Sequence, residues 1–115
     1  MLTDAGRLLV AHTDVLLDQI LRSSRYTDAL LEETVAPLAD YDERKRAELV
    51  PTLRAYVAAN FNLTKAASAL SVNPNTVVYR LRRIHALTGR DPAAVDDLLL
   101  LALGLRLHDS VPPLT

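Results

Sequence analysis

The sequence predicts an all-α fold, a small helical bundle, and three observations carry that reading. Half of the 115 residues are hydrophobic, yet the set holds one Phe, no Trp and a large share of Leu and Ala. Such a mixture suits helices packed on helices better than a β-sandwich, which draws on Val, Ile, Thr and aromatic residues. Apolar residues recur at helical spacing between capping and breaking residues, and no stretch alternates with the period of a strand. The length fits one compact domain, or one domain with an appendage.

The elements follow in order. Leu9, Leu16, Leu17, Ile20 and Leu21 share one face and predict a helix over residues 4–22, with Gly6 weakening its first turn. SSRYTD interrupts that pattern, and Thr27 or Asp28 caps a second helix running to Ala36. Pro37 and the ADYD after it predict a turn or a short helical extension. A third helix is expected from about Glu43 to Asn60, capped by Asp42, with Leu49, Leu53, Tyr56 and Val57 as its apolar stripe. Pro51 lies inside it, removes a hydrogen bond and crowds the preceding turn, so a kink or a break into two helices is expected there.

The punctuation is denser beyond Asn60. Leu63 or Thr64 opens a short helix, TKAASAL, that ends before Ser71, and Ser71-Val72-Asn73 reads as a three-residue turn. Asn73 is a favourable N-cap, Pro74 suits the first helical position, and Gly89 fits a left-handed cap, which brackets a helix over residues 74–88. Asp91 and Pro92 repeat the same opening for a closing helix that runs to about His108, leaving residues 110–115 as a loose tail.

Several function classes drop out. With no cysteine there is no disulfide, thiolate metal site or cysteine nucleophile. His12, His85 and His108 stand in no ligand spacing, and neither a Gly-rich phosphate loop nor a serine elbow is present. No enzyme activity and no cofactor are expected. The opening MLTDAGRLLVAH lacks a basic start, and the longest apolar run, Leu98 to Leu105, is eight residues where a membrane span needs about 20. A cytoplasmic protein without membrane contact is expected.

Net charge is −1, but its distribution is uneven. Residues 1–62 hold seven basic and ten acidic residues, and residues 91–115 one basic and four acidic. Between them, residues 63–90 carry Lys65, Arg80, Arg82, Arg83 and Arg90 with no acid. Binding to a polyanion follows such a local field more than the total charge.

On a helical wheel of residues 74–87, Val77, Leu81 and Ile84 form the buried stripe. Asn75, Tyr79, Arg82 and Arg83 lie opposite, with Thr76 at their edge and Arg80 on the boundary. Ala67 is small where two helices must cross closely, and Leu70 and Val72 bracket the turn. The pattern AAxxLxVxxxTVxxxL, from Ala66 to Leu81, is that of a helix-turn-helix, whose second helix projects to enter a major groove. Ser71 stands where many such motifs have glycine.

Two segments make the resemblance specific: PLADYD followed by ELVPTLRAYVAANFNLTKAASALSV, and NPNTVVYRLRRIHALTGRDPAAVDDLLLLALGLRL. Over about 70 residues, from about Ala36 to Leu107, the chain resembles the C-terminal DNA-binding domain of PucR-type transcriptional regulators of purine and sugar-diacid metabolism. Its helix-turn-helix is similar to that of the Fis protein. The resemblance implies sequence-specific binding of double-stranded DNA in a bacterial regulator, as a homodimer or higher oligomer, with an effector-sensing region upstream in a longer chain. Pro51 departs from the family, which has an unbroken helix there.

The domain reading that follows is an N-terminal helical segment over 1–36, a linker or dimerisation arm, and the DNA-binding domain over 37–109. Thr64, Lys65, Asn75, Thr76, Tyr79, Arg80, Arg82 and Arg83 are the expected DNA-binding residues. An arginine forks onto guanine and Asn pairs with adenine. Thr76, Tyr79 and Lys65 suit phosphates, and Asn62 and Thr64 sit where backbone N–H groups would meet one. Which arginine reads a base is left open by the sequence. The alternative reading is a helical protein–protein adaptor whose basic face docks an acidic partner.

Overall fold

A computed structural model describes residues 4–110, with side chains described from Asp14 onward. Seven helices are present among the described residues: α1 (Asp4–Ser23), α2 (Thr27–Glu33), α3 (Val35–Lys45), α4 (Leu49–Ala58), α5 (Leu63–Leu70), α6 (Pro74–Thr88) and α7 (Val95–Ser110). No strand occurs among them, so the all-helical expectation holds. The expected packing of Leu9, any role of His12, and the tail from residue 111 lie outside the described side chains and residues.

The core is one cluster. Val35 and Leu38 of α3, Leu49 and Leu53 of α4, Ala66 and Ala67 of α5, Val77, Leu81 and Ile84 of α6, and Leu101 and Leu105 of α7 are all buried together. Burying a Leu or Ile side chain contributes about 1.5–3 kcal/mol, so these residues hold five helices in one body. Helices α4, α5 and α6 pack on one another, α3 lies across α4 and α6, and α7 backs α4 and α2. The first helix is peripheral: Arg106 of α7 bonds Asp18 Oδ1 at 3.1 Å through Nε and Asp14 Oδ1 at 3.1 Å through Nη2.

The region 34–50 departs from expectation. The second helix stops at Glu33 rather than Ala36, because Thr34 adopts φ −126° and ψ −82°. Of the two readings for Pro37 and ADYD, a turn or a helical extension, the helical one holds: they belong to the eleven-residue α3, separate from α2. Pro37 is the third residue of that helix, where the backbone N–H has no intrahelical acceptor to lose. The expected domain boundary between residues 36 and 37 therefore falls inside α3.

The third expected helix, 43–60, is likewise divided, but not at Pro51. The break comes at Arg46-Ala47-Glu48, with Arg46 and Glu48 both left-handed at φ 52° and 57°. Pro51 sits in the first turn of α4 and causes no kink for the same reason as Pro37. Asp42 does not cap a helix starting at Glu43. Its carboxylate reaches forward to α4, accepting the Leu49 N–H at 2.7 Å and the Val50 N–H at 2.8 Å. A cap supplied from seven residues upstream fixes α3 against α4 as well as satisfying two orphan donors. Asp42→Ala is expected to lower unfolding stability by about 2 kcal/mol, and Asp42→Asn, which keeps one acceptor, by about half that. Urea unfolding followed by circular dichroism checks this; equal losses in the two variants would refute the bidentate cap.

The remaining elements follow the sequence closely. Asn62 caps α5 by accepting the Lys65 N–H at 2.9 Å, and Asn73 caps α6 by accepting the Asn75 N–H at 2.8 Å. Gly89 closes α6 at φ 72°, its N–H on the His85 carbonyl at 2.8 Å. The closing helix starts at Val95, later than Asp91, because Asp91 caps a turn instead: its Oδ1 accepts the Ala93 N–H at 2.9 Å and its carbonyl the Ala94 N–H. Asp97 then locks the junction by accepting the Asp91 N–H at 3.0 Å and facing Arg90. That N–H, aided by Arg90, holds the Asp97 carboxyl below the usual carboxylate range. At the far end α7 runs to Ser110, two residues beyond His108.

Candidate nucleic-acid interface

The turn between α5 and α6 sets the geometry. Ser71 is left-handed at φ 56°, the conformation that explains glycine in related turns. The Val72 N–H returns to the Ala67 carbonyl at 3.0 Å and the Ser71 N–H to the Ser68 carbonyl at 3.1 Å, closing α5 sharply. Ala66 and Ala67 are fully buried, so α5 and α6 cross without a bulky side chain between them. Leu70 and Val72 pack on the core from either side of the turn, as expected.

On α6, Val77, Leu81 and Ile84 are buried, while Asn75, Tyr79, Arg82, His85 and Ala86 are exposed, as is the N-cap Asn73. The wheel is therefore realised, with Thr76 and Arg83 at intermediate burial. Thr64 and Lys65 are exposed on the first turn of α5. Seven of the eight expected residues thus stand on the face or flanks that the two short helices present.

The cations do not act as one cluster. Arg80, at 17% side-chain exposure, is turned to the body: Nη1 donates to Thr52 Oγ1 at 3.2 Å and Nη2 lies 3.7 Å from Glu48 Oε2. It ties α6 to the start of α4 along the core edge, which sets it apart from the other expected contacts. Arg82 leaves the opposite flank beside a hollow lined by Tyr56, Leu63, Val78, His85, Asp91 and Pro92, and forms no ion pair among the described residues, Asp91 included. Arg83 leans towards α3. Its guanidinium lies 5.7 Å from the Tyr41 ring centroid, and Nη2 donates to the Tyr79 hydroxyl at 3.4 Å. The Tyr79 hydrogen bond, together with the two tyrosines' fields, holds Arg83 still more firmly in its charged form.

Tyr41 and Lys45, which the helix-turn-helix motif does not contain, line the same side as Thr76, Tyr79, Arg80 and Arg83. The signal for them was the run Arg44-Lys45-Arg46. It was hidden because the first 62 residues sum to a negative charge.

A short helix, a three-residue turn and a capped second helix with a cationic outer face define a helix-turn-helix DNA-binding module. The chain belongs to the family of PucR C-terminal helix-turn-helix domains, whose model matches residues 49–107. Among curated proteins it is 39% identical over 76 residues to an uncharacterized protein of Haemophilus influenzae, covering 66% of this chain and 21% of that one. It is 35% identical over 99 residues to the carbohydrate diacid regulator of Escherichia coli, covering 85% and 26%. It is also 35% identical over 86 residues to the transcriptional activator PmfR of Paenarthrobacter nicotinovorans, covering 75% and 18%. The chain thus spans about a fifth to a quarter of the length of the curated relatives it matches. No solved structure matches it significantly. The family description and the names of these relatives point to transcriptional regulation, and no helix among the described residues is long and apolar enough to cross a membrane.

Proposed function

We propose that this chain is the sequence-reading module of a bacterial transcriptional regulator, with α6 lying in the major groove of an operator. The observation that carries the reading is the division of α6 itself. Its apolar stripe is anchored in the core, and that anchoring turns Asn75, Tyr79 and Arg82 outward on an acid-free segment. Asn75 and Arg82 have the chemistry for base edges, whereas Thr64, Lys65, Thr76, Tyr79 and Arg83 suit phosphates. Arg80 serves as the strut that sets the angle of α6.

A homodimer completes the reading, with two copies of α6 roughly 34 Å apart, one turn of duplex. The support is the outer face of α7, where Val95 and Leu99 are 81% and 55% exposed and Leu99 lies beside the apolar surface of Leu103 and Leu17. The residues before Val35 then act as the arm joining the module to an effector-sensing region, in a cytoplasmic regulator of the kind its relatives' names describe. The domain proper then extends from Val35, which opens α3 and is buried in the core, rather than from residue 37, to residue 109.

Selection of bound sequences from a random duplex pool, followed by anisotropy titration at fixed salt, tests this. Enrichment of an inverted repeat with half-sites one turn apart is expected. Recovery of no common sequence would refute sequence reading, and a single unrepeated half-site would refute the dimer.

A further inference from the structure

The cleft between α3 and α6 has no assigned role. Its volume is about 310 Å³, room for on the order of ten waters, so it is open and hydrated. Lys45, Arg80, Arg83, Thr76, Tyr79 and Tyr41 line it, and no acidic side chain does. The acids nearby are otherwise engaged. Asp42 accepts the Leu49 and Val50 N–H groups, Asp40 pairs with Arg44 at 3.2 Å, and Glu48 faces Arg80. Glu43 lies about 160° around α3 from Lys45, at 100° per residue, so it faces away from the cleft.

Three further observations point to an anion of the nucleic-acid backbone. Thr76 belongs to the first turn of α6, the positive end of a fifteen-residue helix dipole. Arg83 is held across the cleft by the Tyr41 ring and the Tyr79 hydroxyl, so its fork is set in place before any ligand arrives. The cleft also borders the exposed face of α6, where Tyr79 is 62% exposed. A duplex whose groove received that face would lay one strand along this side.

We propose that the α3–α6 cleft clamps a DNA backbone phosphate, with Lys45 and Arg83 as its charged donors and Tyr41 as the platform that positions Arg83. This rests on the groove-reading assignment of α6 and adds a second element to it. Helix α3 precedes residues 49–107, so the clamp recruits a helix outside the segment that matches the family. It fixes the register of the module on the duplex and contributes equally at every sequence.

The test uses the whole chain and a labelled mixed-sequence duplex, titrated by anisotropy across a salt series, with Lys45→Ala, Lys45→Arg and Tyr41→Leu beside the unaltered protein. Lys45→Ala should weaken binding severalfold on selected and mixed duplex alike. It should also make the slope of log affinity against log salt shallower by about 0.9, one phosphate's worth. Lys45→Arg should retain the slope, and Tyr41→Leu should weaken both duplexes severalfold while leaving sequence preference unchanged. Lys45 is exposed, so its variants are expected to melt like the parent.

An unchanged slope in Lys45→Ala, with the parent still binding duplex, overturns the clamp and leaves the groove reading intact. Failure of the parent to bind any duplex overturns both. Saturable binding of inorganic phosphate alone, with duplex binding indifferent to Lys45, would make the cleft a small-anion site and overturn the proposal.

Discussion

Gly104→Ala is expected to destabilise the fold by a net amount on the order of 2 kcal/mol. A Cβ at that position would run into Thr34 Oγ1 and stand 2.8 Å from Thr34 Cβ. Thr34 has little freedom to yield. It is 1% exposed, its hydroxyl donates to the Leu30 carbonyl at 2.5 Å, and it forms the break between α2 and α3. Overpacking of this kind costs about 1–3 kcal/mol or somewhat more, while alanine in place of glycine inside a helix returns about 1 kcal/mol. The clash wins because one of the close atoms is a Cβ carried directly by backbone.

The double variant Thr34→Ala/Gly104→Ala provides the check. Removing the hydroxyl relieves the nearest contact and leaves the one at 2.8 Å, so partial rescue is expected, with a coupling on the order of 1 kcal/mol. Strict additivity of the two single changes in thermal or urea unfolding would show that α7 does not approach α2 as closely as described.

Arg82→Ala and Arg83→Ala are expected to weaken DNA binding in two different ways. The side chains are adjacent in sequence, but one leaves α6 beside Tyr56 and His85 and the other over Tyr41. Arg82 forms no ion pair among the described residues and carries the guanidinium fork that fits guanine, so its loss should cost about 1–3 kcal/mol, roughly tenfold to a hundredfold. The loss should fall on selected sequences and relax preference at one base pair. Arg83→Ala should weaken selected and mixed duplex equally and flatten the salt dependence. Helicity should be unchanged in both, since neither side chain enters the core. Unaltered affinity for Arg82→Ala at fixed salt would remove it from the interface, and a sequence-dependent loss for Arg83→Ala would exchange the two roles.

What was legible in the sequence was whatever is decided locally. Asn62, Asn73, Pro74 and Gly89 act within a few residues of where they stand, so α5, the turn and α6 could be bounded from the string alone. The period of Val77, Leu81 and Ile84 gave the buried face, and with it the outward face that carries Asn75, Tyr79 and Arg82. The specific string from Asn75 to Asp91 pointed to the family that the comparison then matched.

The tertiary structure decided what depends on contacts between distant residues. Proline alone suggested a break at Pro51, but the break lies at Arg46 and Glu48, because Asp42 can cap Leu49 and Val50 only if the chain reverses there. The wheel put Arg80 on the boundary between the two faces, and only its partners Thr52 and Glu48 at the start of α4, 28 and 32 positions away in sequence, turned it to the body. Tyr41 and Lys45 joined the candidate site only once α3 lay against α6. Caps and periodicity are set by backbone geometry within a turn or two. Which cation is free and which is tied depends on packing that no local pattern encodes.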